Sequence, residues 1–537
     1  MTSGPRSCCK SLVQRAPNNL RWIDGVGLAL LCFLGLFLAW PLGRLFGRAL
    51  RWRGFHEVIT DDRILAVAWF SLWQAVVSVA AVLVIGLPCA ATFAHFEFRG
   101  RGLILAVASA PFTLPTVVVG SAFLALAPDR YRHTAGLIIC AHIFFNLGYT
   151  MRSLVAAWER IDPTVQEAAA TLGAPPTRVF MSVTLPALRT AITETAAVVF
   201  ALCFTSFGVV LILGGARRST VDVEIYRQAL DFGRFDRSSI LAIGQLLFLG
   251  TVLIAALRNA APPVTGAQRT ASRRAHRFKD RVAVTITTLL VLGVTVSPLM
   301  ELIRRSLIGL HGLTLDHYRS LAHVTRGSGL VGTPLQAVTV SLRSAVIVMT
   351  LTILLSTLIA TTLARSERAV IQRLLRIAVT IPLATSPVTL GLGVIIGFSK
   401  APLAWRTSWF MIPVVQSVVC LPFVLAIVVP AFASSPARTR EAAATLGGSP
   451  WRTWWSVDLP TLRRSLAVAT GTAFAVGLGE FGAASLLTRP AGETLPVAIA
   501  RLASRPGAAL VGQSYALAVI LAVLTGVATV ASIARAR

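Results

Sequence analysis

Long apolar runs, separated by short polar and basic segments, form the dominant pattern of this chain. Each run approaches the roughly 20 residues that a helix needs to cross the hydrocarbon core of a bilayer. The pattern therefore predicts an all-α polytopic membrane protein with about twelve transmembrane helices, six in each half. The predicted spans lie near residues 26–45, 65–90, 103–126, 136–156, 190–214 and 239–257, and near 282–302, 336–363, 371–397, 408–432, 465–487 and 514–534.

Two polar segments divide the chain. Residues 1–25 are predicted to form a basic tail, and residues 258–281, rich in Arg and Ser, a linker between a first half at 26–257 and a second half at 282–537. The first apolar run is longer than the core of a typical signal peptide, so we expect it to remain as a span.

A repeated block indicates that the two halves are copies. Residues 167–189 read EAAATLGAPPTRVFMSVTLPALR and residues 441–463 read EAAATLGGSPWRTWWSVDLPTLR, with 15 identities in 23 positions at an offset of 274. An even number of spans in each half makes the copies parallel, so we expect a pseudo-twofold axis along the membrane normal. Further matching pairs are Ser71 with Ser341, Pro115 with Pro387, Phe207 with Phe481 and Thr220 with Thr494.

Each copy of the block predicts a helix–turn–helix between two spans. Asp162 is a good N-cap, Pro163 suits the first helical position, and Gly173 permits the left-handed conformation that ends a helix. A second helix is expected to begin at Pro176 and to end at Leu185-Pro186. The second copy repeats the scheme with Ser435-Pro436, Gly447, Ser449-Pro450 and Pro460.

The block also has the features of a docking element. Glu167 and Glu441 are expected on a solvent-facing surface, and the alanines that follow allow close approach to a partner. Because the two elements are nearly identical, we expect a symmetric soluble partner to bind both. The alternative is a capped loop that only links two spans.

The composition supports a membrane protein. Hydrophobic residues make up 55% and charged residues 13% of the chain, against about 25% charged residues in soluble domains. The net charge of +28 lies between the apolar runs, so we expect membrane lipids rather than nucleic acid as partners. With the tail inside, the inner segments carry more Lys and Arg than the outer ones, which predicts cytoplasmic N- and C-termini. The cysteines show no metal-ligand spacing.

Polar side chains inside predicted spans are candidates for function. A charged group at mid-bilayer costs roughly 3 kcal/mol, so Glu480 is expected to face protein or a water-filled path. Its repeat-equivalent residue is Ser206, and a phenylalanine follows each of them, Phe207 and Phe481. These four residues are candidates for a translocation path, where a carboxylate would suit a cationic solute and the rings would attract its charge. The alternative for Glu480 is a structural hydrogen bond between helices.

His142 and Asn146 lie one turn apart on one face of the fourth span, where they either join helices or line the same path. The chain has no Gly-rich loop ending in Gly-Lys-Ser/Thr, the motif that binds the phosphates of ATP. We therefore expect that the chain does not hydrolyse ATP and is not an enzyme. An intramembrane enzyme and an ion-driven secondary carrier remain alternatives, but a carrier gives no reason to repeat a docking loop.

The repeated block resembles the EAA loop of permease subunits from binding-protein-dependent ABC importers. The resemblance implies that segments 162–186 and 435–460 hold coupling helices that dock on a cytoplasmic ATPase. It implies two copies of that ATPase, which bind ATP and Mg²⁺, an extracytoplasmic solute-binding protein, and a bacterial inner membrane; this chain itself would hold no cofactor or metal. The residues that carry the resemblance are Glu167, Ala168, Ala169, Gly173 and Leu185-Pro186, with Glu441, Ala442, Ala443, Gly447 and Leu459-Pro460.

The resemblance covers nearly the whole chain and favours fused double permeases of the thiamine-importer type. The stretches SLWQA at 71–75, AHIFFN at 141–146 and LCFTSF at 202–207 are similar to that type, which implies thiamine or thiamine phosphates as substrate. Ferric-iron permeases tend to carry Ser-Asp-Phe-Gly and Lys-Glu-Leu-Pro, where this chain has Ser206-Phe207-Gly208 and Gly479-Glu480-Phe481-Gly482. Ferric iron or another small solute remains the alternative.

Overall fold

Helices form nearly all of the regular structure, which confirms the predicted all-α polytopic fold. The structure, a computed structural model, describes residues 21–51, 55–258, 273–274, 277–309, 312–433, 437–489 and 492–536. In this described part, nine helices are long and apolar enough to cross a membrane, and two bent helix pairs raise the number to as many as eleven. The remaining predicted span, near 465–487, corresponds to Leu459–Gly479, the repeat equivalent of Leu185–Phe204.

The helices follow the same order in both halves. Those of the first half are α1 (Arg21–Leu34), α2 (Trp40–Arg51), α3 (Phe55–Ile59), α4 (Asp62–His95), α5 (Arg101–Thr113), α6 (Thr116–Leu126), α7 (Ala135–Trp158), α8 (Pro163–Thr171), α9 (Pro176–Val179), α10 (Leu185–Phe204), α11 (Gly208–Leu213), α12 (Val221–Tyr226) and α13 (Phe235–Arg258). Those of the second half are α14 (Phe278–Ser306), α15 (Asp316–Arg319), α16 (Pro334–Arg365), α17 (Ala369–Ala384), α18 (Pro387–Gly397), α19 (Met411–Ala433), α20 (Ala437–Thr445), α21 (Pro450–Thr453), α22 (Leu459–Gly479), α23 (Gly482–Leu487), α24 (Leu495–Ala503) and α25 (Ala508–Ala536). Two short strand pairs are β1 (Phe96–Glu97) parallel to β2 (Arg273–Arg274), and β3 (Ile308–Gly309) antiparallel to β4 (Gly312–Leu313).

The third span of each half is broken rather than continuous. The helix pairs α5–α6 and α17–α18 bend by 102° and 109°, where the sequence predicts straight spans. Proline disfavours the helical conformation of the residue before it, and Leu114 and Ser386, which precede Pro115 and Pro387, have ψ values of 143° and 150°. Each bend turns the second helix of the pair toward the other half.

The fifth span of each half also ends earlier than predicted. Helix α10 ends at Phe204 and α22 at Gly479, and the short helices α11 and α23 follow after a break. A Cβ added at Gly208 would lie 2.3 Å from Thr116 Oγ1, and one at Gly482 would lie 2.9 Å from Pro387 Cβ. Because glycine lacks that atom, the chain can approach the bent third span closely enough to start a new helix there.

The first span of each half packs on the other half. Helix α1 contacts α16 and α17, and α2 contacts α18, while α14 contacts the equivalent helices α4, α5 and α6 of the first half. At the start of α1, Asp24 accepts a hydrogen bond from Ser366 Oγ (2.7 Å). Because the first span of each half packs on the other half, the two halves form one bundle with a pseudo-twofold axis, as the duplication predicts.

The largest hydrophobic core lies where the two halves meet. Val117 and Ile212 of the first half and Leu390 and Leu486 of the second half belong to one buried cluster. The bent third spans and the short helices α11 and α23 supply these residues, so the breaks in the spans surround the pseudo-twofold axis.

Candidate functional site

The first helix of the first repeated block begins and ends as its sequence predicts, and the corresponding helix of the second block ends as predicted. Asp162 accepts hydrogen bonds from the Thr164 amide (2.9 Å) and hydroxyl (2.7 Å), which also lower the pKa of the Asp162 carboxyl. Gly173 and Gly447 have φ angles of +80° and +78°, the left-handed conformation expected at the ends of α8 and α20. The predicted start of the second copy at Ser435-Pro436 lies outside the described residues.

The outer face of each block carries both acidic and apolar side chains. Glu167 and Glu441 are exposed, and Leu172 and Leu446, just before the turn glycines, expose 88% and 87% of their surface. An apolar side chain this exposed at both equivalent positions is typical of a surface that a partner covers. The leucines are identical in the two copies, which is the signal in the sequence that points to them. We call Glu167, Ala168 and Leu172, with Glu441, Ala442 and Leu446, the EAA surface.

The remaining predicted coupling residues lie beside this surface. Ala169 and Ala443 are half-buried, and Pro186 and Pro460 stand at the second position of α10 and α22.

The second helix of each block does not end at its proline, so that prediction is wrong. Residues Pro176–Phe204 form one continuous helix with a π-helical turn at Phe180–Thr184, and the second copy has the same turn at Trp454–Asp458. Proline lacks an amide and crowds the preceding turn, and the wider π turn accommodates it. Each block is therefore continuous with the fifth span.

The two blocks are attached to that span by different chemistry. In the first copy the Gln166 amide donates a hydrogen bond to Thr184 Oγ1 (3.4 Å). In the second copy the equivalent residues are Arg440 and Asp458, whose charged atoms lie 4.0 Å apart, and Asp458 also pairs with Arg365 at the end of α16. Asp458 is completely buried, so the second block is held by an ionic cluster where the first has a neutral hydrogen bond.

A cavity of about 260 Å³, the central cavity, lies between the two halves. Its walls come from the broken third spans, the fourth spans and the breaks of the fifth spans. The six residues that the sequence suggests for a translocation path all line it: His142, Asn146, Ser206, Phe207, Glu480 and Phe481.

A chain of hydrogen-bonded polar side chains reaches this cavity from each half. In the first half, the His142 ring nitrogens lie 3.0 Å from Ser78 Oγ and 2.9 Å from Ser206 Oγ. Asn146 donates to the His142 carbonyl oxygen (2.9 Å) within α7 and to Cys203 Sγ of α10 (3.6 Å), so both side chains join helices and line the cavity.

In the second half, Ser344 donates to Gln416 Oε1 (2.8 Å), and Gln416 Nε2 lies 3.5 Å from Glu480 Oε2. Gln416 is the repeat equivalent of His142 at the offset of 274. That offset is the signal that identifies Gln416 as a further member of the site.

Glu480 combines the two roles that its sequence position allows. Its carboxylate accepts hydrogen bonds from the amides of Ala483 (2.8 Å) and Ala484 (3.1 Å), so it caps the short helix α23. The side chain also lines the central cavity, and the residue is 7% exposed. No basic side chain lines that cavity among the described residues, so the carboxylate is its only acidic or basic group apart from the imidazole of His142.

Two phenylalanines separate the central cavity from an outer chamber. Phe207 and Phe481 stack with ring centroids 5.0 Å apart, and Phe481 lines both spaces. The outer chamber, of about 610 Å³, lies on the side opposite the repeated blocks. Its charged lining residues are Arg132, Arg227, Arg501 and Asp231.

An inner chamber of about 820 Å³ adjoins the central cavity and shares Phe112, Thr205 and Phe423 with it. It extends past Ser153 and Glu194 toward the repeated blocks. The phenylalanine pair thus closes the molecule on one side, while cavity volume continues on the side of the EAA surface.

The serine pair at the start of the second spans has a structural role. Ser71 Oγ accepts a hydrogen bond from the Val221 amide (2.9 Å), and Ser341 Oγ accepts one from the Leu495 amide (2.6 Å). Each serine thereby caps a short helix, α12 or α24, that lines the outer chamber, which explains the match between the halves at these positions. Among the described residues, no group of three or more His, Cys, Asp or Glu side chains is placed to hold a metal ion.

The chain matches the family model described as binding-protein-dependent transport system inner membrane component twice, at residues 82–265 and 352–536. The two matches fall in the two halves and contain the two repeated blocks.

Thiamine permeases resemble the chain over most of its length, and a sulfate permease resembles less than half of it. The thiamine transport system permease protein ThiP of Brucella suis is 29% identical over 504 residues, which cover 88% of each chain. ThiP of Haemophilus influenzae is 26% identical over 493 residues, covering 88% of this chain and 89% of its own. The sulfate transport system permease protein CysT of Escherichia coli is 28% identical over 257 residues, covering 44% of this chain and 93% of its own.

Proposed function

Because the chain belongs to the family of inner membrane components of binding-protein-dependent transport systems, we propose that it is the fused permease of an importer for thiamine or thiamine phosphates. The permease is a transport subunit, and hydrolysis of ATP belongs to a separate ATPase. The observation that carries the substrate is the similarity to thiamine permeases over 88% of the chain.

The central cavity supports a cationic substrate. It holds the Glu480 carboxylate near the two stacked phenylalanines, and its described lining residues include no Lys or Arg. A thiazolium cation gains Coulomb attraction from a carboxylate in a region of low dielectric constant, and aromatic faces attract it further. Phe207 and Phe481 stack on each other in this conformation, so the substrate enters between them only after they separate.

The EAA surface supports coupling to two copies of a cytoplasmic ATPase, one for each repeated block. The exposed leucines and acidic residues supply equivalent docking surfaces, and the continuous helix Pro176–Phe204 leads from the first block to the break at Ser206 and Phe207. ATP and Mg²⁺ are held by that partner, and its closure moves the breaks at the pseudo-twofold axis. A solute-binding protein delivers substrate to the outer chamber.

The chain is oriented with the repeated blocks and both termini in the cytoplasm. Trp22, at the start of α1, packs edge-on against Trp451 in the second block, with ring centroids 5.7 Å apart. The start of the first span therefore lies at the same side as the EAA surface, and an even number of spans returns the C-terminus to that side.

Reconstituted transport tests the proposal. The chain is placed in liposomes with its ATPase and its solute-binding protein, and uptake of labelled thiamine is measured with and without ATP. We expect ATP-dependent uptake that requires all three components. Uptake of ferric iron instead of thiamine would contradict the substrate, and uptake by the chain alone in a proton or sodium gradient would contradict ABC transport.

A further inference from the structure

A second polar cavity lies in the second half, away from the central cavity and on the side opposite the repeated blocks. It measures about 230 Å³ and is formed by α16, the start of α19 and the segment after α23. Its polar lining residues are Arg343, Ser344, Ser408, Arg489 and Thr494, and none of its described lining residues is acidic. We call it the arginine pocket.

Two groups of the pocket are buried and have no hydrogen-bond partner among the described residues. These groups are Arg489 Nη2 and Thr494 Oγ1, and Thr494 as a whole is 2% exposed. A buried donor left unpaired costs roughly 1–3 kcal/mol, and more when it is charged. A cationic donor and a hydroxyl left unpaired in the same small cavity indicate that an acceptor from outside the chain satisfies them.

In the first half, the equivalent threonine is paired within the chain. Thr220, the repeat equivalent of Thr494, donates a hydrogen bond to the Ser206 carbonyl oxygen (2.9 Å). The residues equivalent to Arg343 and Arg489 are Trp73 and Gly215. The two unpaired groups and the two positive charges therefore occur together in one half, as expected for a binding site and not for a requirement of the fold.

The chemistry of the pocket favours a phosphate group. Two guanidinium groups with a hydroxyl donor, and no carboxylate, match the several acceptor oxygens and the negative charge of phosphate. Arg343 is exposed and lies 5.9 Å from the ring centroid of Trp409, which is 67% exposed just before the span α19 begins. Arginine beside tryptophan at the end of a span is typical of the level of lipid headgroups.

We propose that Arg343, Arg489 and Thr494 bind a phosphate group, supplied either by a phospholipid headgroup or by free phosphate. The site adjoins the transport path, because Ser344 lines the pocket and donates to Gln416, which contacts Glu480 in the central cavity. An occupied pocket therefore holds the second polar chain in place from the side opposite the repeated blocks.

Binding by the purified full chain tests this site. In detergent, inorganic phosphate is titrated against chloride at constant ionic strength while thermal unfolding is followed. In a second arm, the chain is extracted from nanodiscs of phosphatidylglycerol, and retained phospholipid is counted by native mass spectrometry. Stabilisation by phosphate assigns the free anion, and retention of phospholipid assigns the headgroup; either supports the site if the variants below abolish it.

Three variants decide the outcome. Arg489→Gln removes one charge and should weaken binding at least tenfold, and Thr494→Val should weaken it several-fold without lowering the stability of the unliganded chain. Arg217→Gln removes an exposed charge from the equivalent loop of the first half and should leave binding unchanged. Absence of binding in both arms, parent-like binding by both pocket variants, or an equal loss in Arg217→Gln overturns the proposal.

Discussion

The rings of Phe207 and Phe481 stack on each other across the pseudo-twofold axis, with centroids 5.0 Å apart and planes 24° from parallel. The two residues are repeat equivalents, so each half contributes one side of a single contact. Phe207 also lies 5.4 Å from the ring of Tyr226, which lines the outer chamber. The pair forms the closed point between that chamber and the central cavity, and in the transport proposed above a solute has to separate it.

Loss of this contact should favour other conformations of the permease. Phe481→Ala removes a ring pair worth about 0.5–1.5 kcal/mol beyond burial, so the ATPase activity of the assembled transporter without binding protein should rise about fivefold. Phe98→Ala, which removes a ring contact to Phe93 away from the axis, is the control and should leave that activity unchanged. Equal activities in the two variants would show that the phenylalanine pair is not a gate.

The turn glycines of the repeated blocks should tolerate only certain replacements. Gly173 and Gly447 have positive φ angles, and a left-handed residue other than glycine costs about 1–2 kcal/mol. In the described part of the chain, no atom lies within 4 Å of a Cβ added at either position, so the expected strain is in the backbone. Gly173→Val should reduce co-purification of the ATPase, whereas Gly173→Asn should retain most of it because asparagine tolerates this conformation. Parent-like coupling in the Val variants at both positions would argue against a coupling role.

Glu480→Gln should slow uptake of a cationic solute. The change removes the charge in the central cavity. It also replaces one of the two carboxylate oxygens, each of which accepts an amide hydrogen bond, so some loss of stability is expected. Uptake of thiamine and thermal unfolding are measured together, with Gln416→Glu as a partner variant that restores a carboxylate next to position 480. Uptake that falls only in proportion to folded protein would assign Glu480 to capping α23 alone.

The ionic attachment of the second block should contribute more to stability than the neutral attachment of the first. Asp458→Asn leaves Arg365 without its partner in a largely buried position and should lower the free energy of unfolding by about 3 kcal/mol. Thr184→Val, the change at the equivalent position, removes a hydrogen bond of 3.4 Å and should cost about 1 kcal/mol. The free energies of unfolding of the two variants are measured by denaturation in the same detergent. Equal losses would contradict the prediction that the ionic attachment contributes more to stability than the neutral one.

Local chemistry made much of the site visible in the sequence. Gly173 and Gly447 are left-handed because glycine readily adopts the conformation that ends these helices, and Asp162 caps because its carboxylate reaches the Thr164 amide. The pairing of Ser206 with Glu480 follows from the offset of the duplication, and both line one cavity. These features depend on residues close in the chain or on the repeat itself.

Features that depend on contacts between distant segments were decided by the tertiary structure. Pro115 and Pro387 are visible in the sequence, but their spans break by about a right angle because the other half receives the second helix of each pair. The prolines of the repeated blocks do not end their helices, because a π turn absorbs the mismatch and the span continues.

The sequence by itself determined the membrane class, the duplication and the two glycine-terminated blocks, since hydrophobicity, repeat offset and backbone conformation are properties of short segments. Only the tertiary structure decided that α1 and α14 exchange between halves, that Phe207 meets Phe481, and that Gln416 joins Ser344 to Glu480. Apolar spans bury similar surface in many arrangements, so their pattern alone does not select a neighbour. The choice comes from close packing at glycines and from hydrogen bonds that buried polar groups must complete, and both require all the helices in place.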